Sequence, residues 1–383
     1  VMNLAELIVR ILIFLVGAYI VFWTLLSVMK SFVLPRAVNT LLTRLVFRWM
    51  LRIFNLRLRK VQTYLDRDRV MAMYAPLCLL TLPVVWLILV LVGYMLMYFA
   101  VGVGSMLDAF RLSGSSLLTL GFAMDPQTMT LILEFSEAAI GLILVAVLIA
   151  YLPTMYAAFS RREAMVNLLE VRAGSPPTPT DMIMRIHRVR GLEYLHDLWE
   201  DWERWFVDLE ESHTTFAPLV FFRSPQPNRS WVTAAGAVLD TASFVNAAID
   251  IPHDPQADLT IRAGFLALRR IADFFRIAYN DNPSATDPIS ISRDEFNAVY
   301  DALLENGVPM KPDRDQAWRD YAGWRVNYDR VLLSIAALTM APYAPWVSDR
   351  SIPYLPTQRH HIMVPTTTPS AGWPRRAPTS NGK

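Results

Sequence analysis

Cysteine is almost absent from this chain: Cys78 is the only one in 383 residues, and it lies inside an apolar run. No intrachain disulfide can form, and thiolates cannot build a metal cluster. Lysine is scarce too, at four of the 36 basic residues, an arginine bias expected of a GC-rich bacterial genome. Neither sign of charge dominates. The 36 Lys and Arg stand against 34 Asp and Glu, a formal net charge of +2, which gives no footing for nucleic-acid binding. There is no Gly-rich phosphate loop, no G-x-S-x-G and no H-E-x-x-H, so no enzyme class and no cofactor is indicated. Strand-like alternation of useful length is also missing, which leaves an all-α fold.

Apolar residues are what the chain has in excess. It is 54% hydrophobic with a mean hydropathy of +0.30, too apolar for an ordinary soluble protein of this size. The excess lies in the first 160 residues. About 20 apolar residues cross a bilayer core as a helix. Ile11 to Met29 supplies the first run; no small-residue cleavage site follows, so it reads as an anchor rather than a leader. Met71 to Val103 is the second, with Pro76 and Pro83 tolerated as membrane helices tolerate them. Leu131 to Phe159 is the third.

The connection between the first two runs, "PRAVNTLLTRLVFRWMLRIFNLRLRK", sets Arg44, Arg48 and Arg52 four apart among Leu, Val, Phe and Trp. That pattern predicts a helix lying in the membrane interface; the alternative is a short connector whose arginines only enforce topology. Either way the positive-inside rule puts it in the cytoplasm, and Arg161 and Arg162 put the end of the third span there too. The expected layout is a multi-pass plasma-membrane protein, in a bacterium the inner membrane, with its amino terminus outside. Residues 1–30 form the first span, 31–69 the basic segment and 70–165 a span–loop–span module. A linker over 166–180, a cytoplasmic bundle over 181–345 and a disordered Pro-, Thr- and Arg-rich tail over 346–383 complete it.

The loop inside the module, "FRLSGSSLLTLGFAMDPQ" (Phe110 to Gln127), is too short and too polar to cross a bilayer. Ser105 is placed to cap a short helix with Asp108 in its first turn. A helix that enters from outside and stops midway aims its negative carboxyl end at the bilayer centre. The irregular backbone after it must line water or be buried in protein, and Gly121 permits its unusual angles. Span, half-helix, glycine-marked extended strand, span is the layout of a pore loop.

At these residues the chain resembles the potassium-channel superfamily, whose filters read Thr-Val-Gly-Tyr-Gly with Asp usually next. Thr119, Leu120, Gly121, Phe122 and Ala123 occupy that register, with Asp125 and Pro126 following. The third run is similar to a family inner helix, with Gly141 at a hinge position and Pro153 at a kink near the cytoplasmic gate; the alternative for Gly141 is a helix-packing glycine. The resemblance covers about residues 70 to 165. It implies a homotetramer, since each chain brings one pore loop, a monovalent cation such as potassium as permeant ion, and membrane lipid as surroundings. Two departures separate conduction from potassium selectivity. Ala123 replaces the second filter Gly, and a Cβ in a left-handed conformation costs roughly 1 kcal/mol; Asp125 comes one residue late. Phe122 also lacks the hydroxyl of the family's Tyr. Glu134 and Glu137 are placed to brace the filter or gather cations at the pore entrance, unless they are merely solvated at headgroup level.

Beyond "AGSPPTPTD" (residues 173 to 181), with Thr180 as a candidate cap, apolar stripes recur at helical spacing. Leu192 to Leu209 predicts a helix of about thirty residues. Trp231 to Ile249, Ile261 to Tyr279 and Ala317 to Leu338 predict three more, and "SRDEF" from Ser292 a capping box. The aromatic stripes are bundle core. His196, Glu200 and Glu203 share a face, with Glu210 and His213 further along; a solvated charged face explains them better than a metal site, since no other helix offers a Glu-x-x-His pair. The bundle could dock a protein partner. Two rival functions follow: a non-conducting membrane-anchored scaffold or receptor whose bundle binds that partner, and a metal-dependent membrane enzyme around His196.

Overall fold

The computed structural model describes residues 3–33, 40–58, 64–189 and 191–350. Among them the protein is all-helical, without a strand, and three of its helices are long and apolar enough to cross a membrane. It is therefore compatible with a multi-pass membrane protein. The tail beyond residue 350 lies outside the described residues, as do residues 34–39 and 59–63 of the basic segment.

The first long helix, α1 (Leu4–Val28), ends in a single π-helical turn, Met29–Val33. After α2 (Leu41–Leu58) and the short α3 (Tyr64–Ala72), α4 (Tyr74–Val101) runs back through Pro83. Helices α1 and α4 meet where neither has a side chain. A Cβ on Gly17 would fall 2.5 Å from the Gly93 carbonyl oxygen, and one on Gly93 2.9 Å from that of Gly17. Lipid offers no hydrophobic drive to pair helices, so close backbone approach at small residues does it through dispersion contacts. Gly102 closes α4 in the left-handed region at φ 110°, donating to the Tyr98 and Phe99 carbonyls, the backbone a glycine cap supplies.

Helix α5 (Met106–Leu117) packs between α4 and α6 (Thr128–Ala173). At 46 residues α6 is about 69 Å long, twice what a bilayer needs. Its lower third is not the linker expected over 166–180. Val166, Leu169 and Ala173 are buried in the core of the bundle that follows. No glycine or proline interrupts the chain between Pro153 and Gly174, so nothing stops the helix at the end of its apolar stretch.

That bundle comprises α7 (Pro179–Val189), α8 (Leu195–Thr215), α9 (Trp231–Ala248), α10 (Pro255–Phe275), α11 (Arg293–Glu305), α12 (Arg314–Arg325) and α13 (Asp329–Thr339). Helix α9 is its axis: of its eighteen residues only Asn246 is not buried, as befits a helix apolar all round. Alanines at 234, 235, 237, 242, 247 and 248 let its neighbours close in. The one carboxylate on it, Asp240, is met by Arg325 through both oxygens. Arg325 also donates to Asp329 at 2.7 Å and to the Trp346 carbonyl at 2.7 Å, while Tyr328 donates to Asp240 at 2.8 Å. One buried cation thus ties α9, α12, α13 and the segment beyond them.

Two helices expected to be continuous are broken. The first is α7 and α8, parted at Gly191, which takes φ 95°. The last is α12 and α13, turning between Val326 and Tyr328. The cap of α7 is Thr178 rather than Thr180: its hydroxyl accepts from the Asp181 amide at 3.0 Å and donates to the Asp181 carboxylate at 2.7 Å, with Pro179 at the first helical position, where a missing N–H costs nothing. The "SRDEF" box forms as expected, Ser292 and Glu295 each accepting from the other's amide.

Candidate functional site

Helix α5 is fastened at its start by a reciprocal cap. The Ser105 hydroxyl accepts from the Asp108 amide at 3.2 Å, and the Asp108 carboxylate accepts from the Ser105 amide at 3.1 Å, satisfying two of the orphan donors of a helix start. Its far end meets α6 at Gly141, where an added Cβ would lie 2.1 Å from the Leu117 carbonyl oxygen. Gly141 thus serves close packing. Helix α6 is continuous through both it and Pro153.

After Leu117 the chain turns on two residues with positive φ, Thr119 at 53° and Gly121 at 71°, and continues without regular secondary structure to Pro126. Strain expected at Ala123 falls instead on Thr119. A β-branched residue in the left-handed region is an outlier costing about 1–3 kcal/mol, held only where surroundings over-determine it. Ser115 supplies much of that determination. Its carbonyl accepts from the Leu120 amide at 2.8 Å, and its hydroxyl accepts from the Ala123 amide at 3.0 Å and faces the Ala123 carbonyl at 3.3 Å. Further on, the Asp125 amide donates to Glu134 at 3.2 Å, and Asp125 accepts from the Gln127 amide at 2.9 Å.

Between these fastenings the carbonyls of Thr119, Leu120, Gly121 and Phe122 accept no hydrogen bond from any described residue. Their side chains are also uncovered: Leu120 is 61% exposed and Phe122 66%. A loop that hid its polar backbone would do the reverse.

Glu134 and Glu137 do not stand open at an entrance, nor are they solvated. Both are buried, Glu137 completely, on the face of α6 behind the loop. Glu137 takes 2.5 Å from the Ser113 hydroxyl on α5 and 2.9 Å from the Tyr98 hydroxyl on α4. One carboxylate therefore clamps three helices. Sequence reading missed Ser113, Ser115 and Tyr98. The serines carry a faint signal, two hydroxyls a residue apart on a short half-apolar helix; Tyr98 carries none, being 39 residues from its partner.

The face holding His196 comes apart into separate contacts. His196 lies 3.1 Å from both oxygens of Asp254, which raises its pKa by hydrogen bonding and charge. Glu203 accepts from Gln256, Glu210 pairs with Arg270, and His213 is buried beside Arg162 at 3.2 Å. Among the described residues no group of three or more His, Cys, Asp or Glu is placed to hold a metal ion. The chain matches no family model, no curated protein and no solved structure.

Proposed function

We propose that this chain is one subunit of a homotetrameric cation channel in a bacterial plasma membrane, with residues 119–123 as its conducting filter. One observation carries the reading: four successive carbonyls, Thr119 to Phe122, have no partner among the described residues although amides on either side are fastened. A dehydrated cation suits such oxygens, and rings of them from symmetry-related loops replace its water. In this reading α5 is re-entrant, entering from outside with its capped start and directing its negative end toward the bilayer centre. Exposed Leu118, Leu120 and Phe122, and the exposed face of α6 at Phe135, Leu142 and Ile149, are then covered by neighbouring subunits around a closed axis. The bundle lies in the cytoplasm with the basic α2 and with Arg161 and Arg162. Potassium is the expected permeant ion; strict rejection of sodium is not, because Ala123 and Phe122 depart from the pattern tuned for it.

The test is tracer uptake. Liposomes holding the purified protein should take up rubidium, and Gly121→Asp, which sets a carboxylate at each filter, should reduce uptake to that of empty liposomes while leaving the tetramer intact. Equal uptake by mutant and parent sinks the assignment to this loop. A monomer or dimer in detergent also sinks it, since a single loop then lacks symmetry mates, and favours the scaffold whose bundle docks a partner.

A further inference from the structure

Helix α2 carries more than a topology signal. One face is buried on the protein, through Leu42, Val46, Phe54 and Leu58. A second apolar face points away: Leu41, Leu45, Trp49, Ile53 and Leu56 are all about half exposed or more. Arg44 and Arg48 run along the border of this outer face, and neither meets a carboxylate among the described residues. The helix itself contains no acidic residue.

A third guanidinium arrives from the bundle. The Phe47 ring lies 6.5 Å from Phe221, and Phe221 5.5 Å from Phe275, so this aromatic chain brings the end of α10 up to α2. The next residue, Arg276, is exposed and caps α10 in the left-handed region at φ 57°. Helices usually put glycine or asparagine there, and an outlier held against that preference points to its side chain. Partial burial, and then the charges of Arg276 and Arg48, lower the pKa of Arg44: Arg44 feels both neighbouring cations.

We propose that Arg44, Arg48 and Arg276 together bind the phosphate headgroup of an anionic glycerophospholipid, whose acyl chains lie along the outer apolar face of α2. An anion relieves the repulsion at Arg44, guanidinium geometry suits phosphate, and the half-exposed Leu, Ile and Trp side chains demand a hydrocarbon neighbour. The lipid then bridges the membrane half and the bundle, which a purely interfacial helix would not do.

The experiment is native mass spectrometry of the full-length protein with dioctanoyl phosphatidylglycerol and, in parallel, dioctanoyl phosphatidylcholine. The anionic lipid should bind at least tenfold tighter. Arg276→Gln alone should weaken it about fivefold, and the triple glutamine variant should reach the level of the choline lipid, since each arginine near an anionic headgroup counts for about that factor. Arg57→Gln, on the same helix but away from the cluster, should leave binding unchanged. Should Arg276→Gln disturb folding, Arg276→Lys should bind within about twofold of the parent. Three results overturn the proposal: Arg276→Gln binding as well as the parent, Arg57→Gln weakening it equally, or glycerol 3-phosphate without tails displacing the lipid as effectively as the lipid itself. None of these readouts depends on ion flux.

Discussion

Glu137 in α6 and Asp240 in α9 are both wholly buried, yet the two halves of the molecule hold them in opposite ways. Asp240 faces a guanidinium, with Arg325 reaching on to Asp329 and a backbone carbonyl. Glu137 faces hydroxyls only, from Ser113 and Tyr98. An ion pair can be carried inside a bundle if every lone pair finds a donor; its charges then fix which helices meet. Removing one member of such a pair strands the other. Glu137 has no counter-ion among the described residues to strand. Hydroxyl clamps of this kind survive a change in the charge of the group they hold.

The largest expected effect tests that contrast directly. Arg325→Met should destabilise the bundle by about 3–5 kcal/mol, because Asp240 remains buried without its cation. Glu137→Gln should cost no more than about 1 kcal/mol. Ser113 has one proton and two acceptors in reach, Glu137 at 2.5 Å and the Leu91 carbonyl at 3.1 Å. A glutamine amide can donate to Ser113, freeing that proton for Leu91, while its oxygen still accepts from Tyr98. Urea unfolding of the full-length protein in detergent measures both, and comparable losses from the two variants would erase the distinction.

A smaller effect separates the halves by how tightly their helices meet. At Gly141 the obstacle to a methyl group is backbone, the Leu117 carbonyl at 2.1 Å; at Gly264 in the bundle it is side-chain ends, Leu239 at 2.5 Å and Phe206 at 3.0 Å. Side chains can turn aside and a helix end cannot. Gly141→Ala should therefore cost about 1–3 kcal/mol, the range for overpacking, and reduce rubidium uptake by displacing the end of α5. Gly264→Ala should cost less and leave uptake alone. If the two alanine variants are equally stable, close backbone approach is not what Gly141 provides.

The features visible in the sequence are those built from neighbours. Composition over twenty residues marks each apolar helix, and an i, i+3 pair marks the caps at Ser105 and Ser292. Stripes at helical spacing mark the core of the bundle. What escaped depends on distance or on silence. A stripe does not say where a helix pauses, so the break at Gly191 went unseen, and α6 passes from apolar to charged sequence with no residue to stop it. The clamp on Glu137 joins residues 24 and 39 apart in sequence. Nothing about a threonine announces the left-handed turn at Thr119, because side chains elsewhere impose it.

The smallest effect concerns acid, and it too divides the molecule, since all six histidines follow residue 186. His213 is wholly buried on α8, its ring 4.8 Å from Trp231 and its Nε2 3.2 Å from the Arg162 guanidinium at the foot of α6. Burial and then the Arg162 charge push its pKa well below the ordinary 6.5. The unfolded chain takes up a proton near that value while the folded chain refuses it, so this residue's share of stability is intact above pH 6.5 and drains away as the pH falls toward the depressed folded value. The slope is at most about 1.4 kcal/mol per pH unit. His196, raised by Asp254, contributes with the opposite sign, so the difference between parent and His213→Phe isolates the buried ring. From pH 6.5 to pH 5 the variant should gain on the parent by about 1 kcal/mol per unit in bundle unfolding. A difference that stays flat across that window would mean that the ring accepts a proton where it sits, and that Arg162 does not hold it neutral.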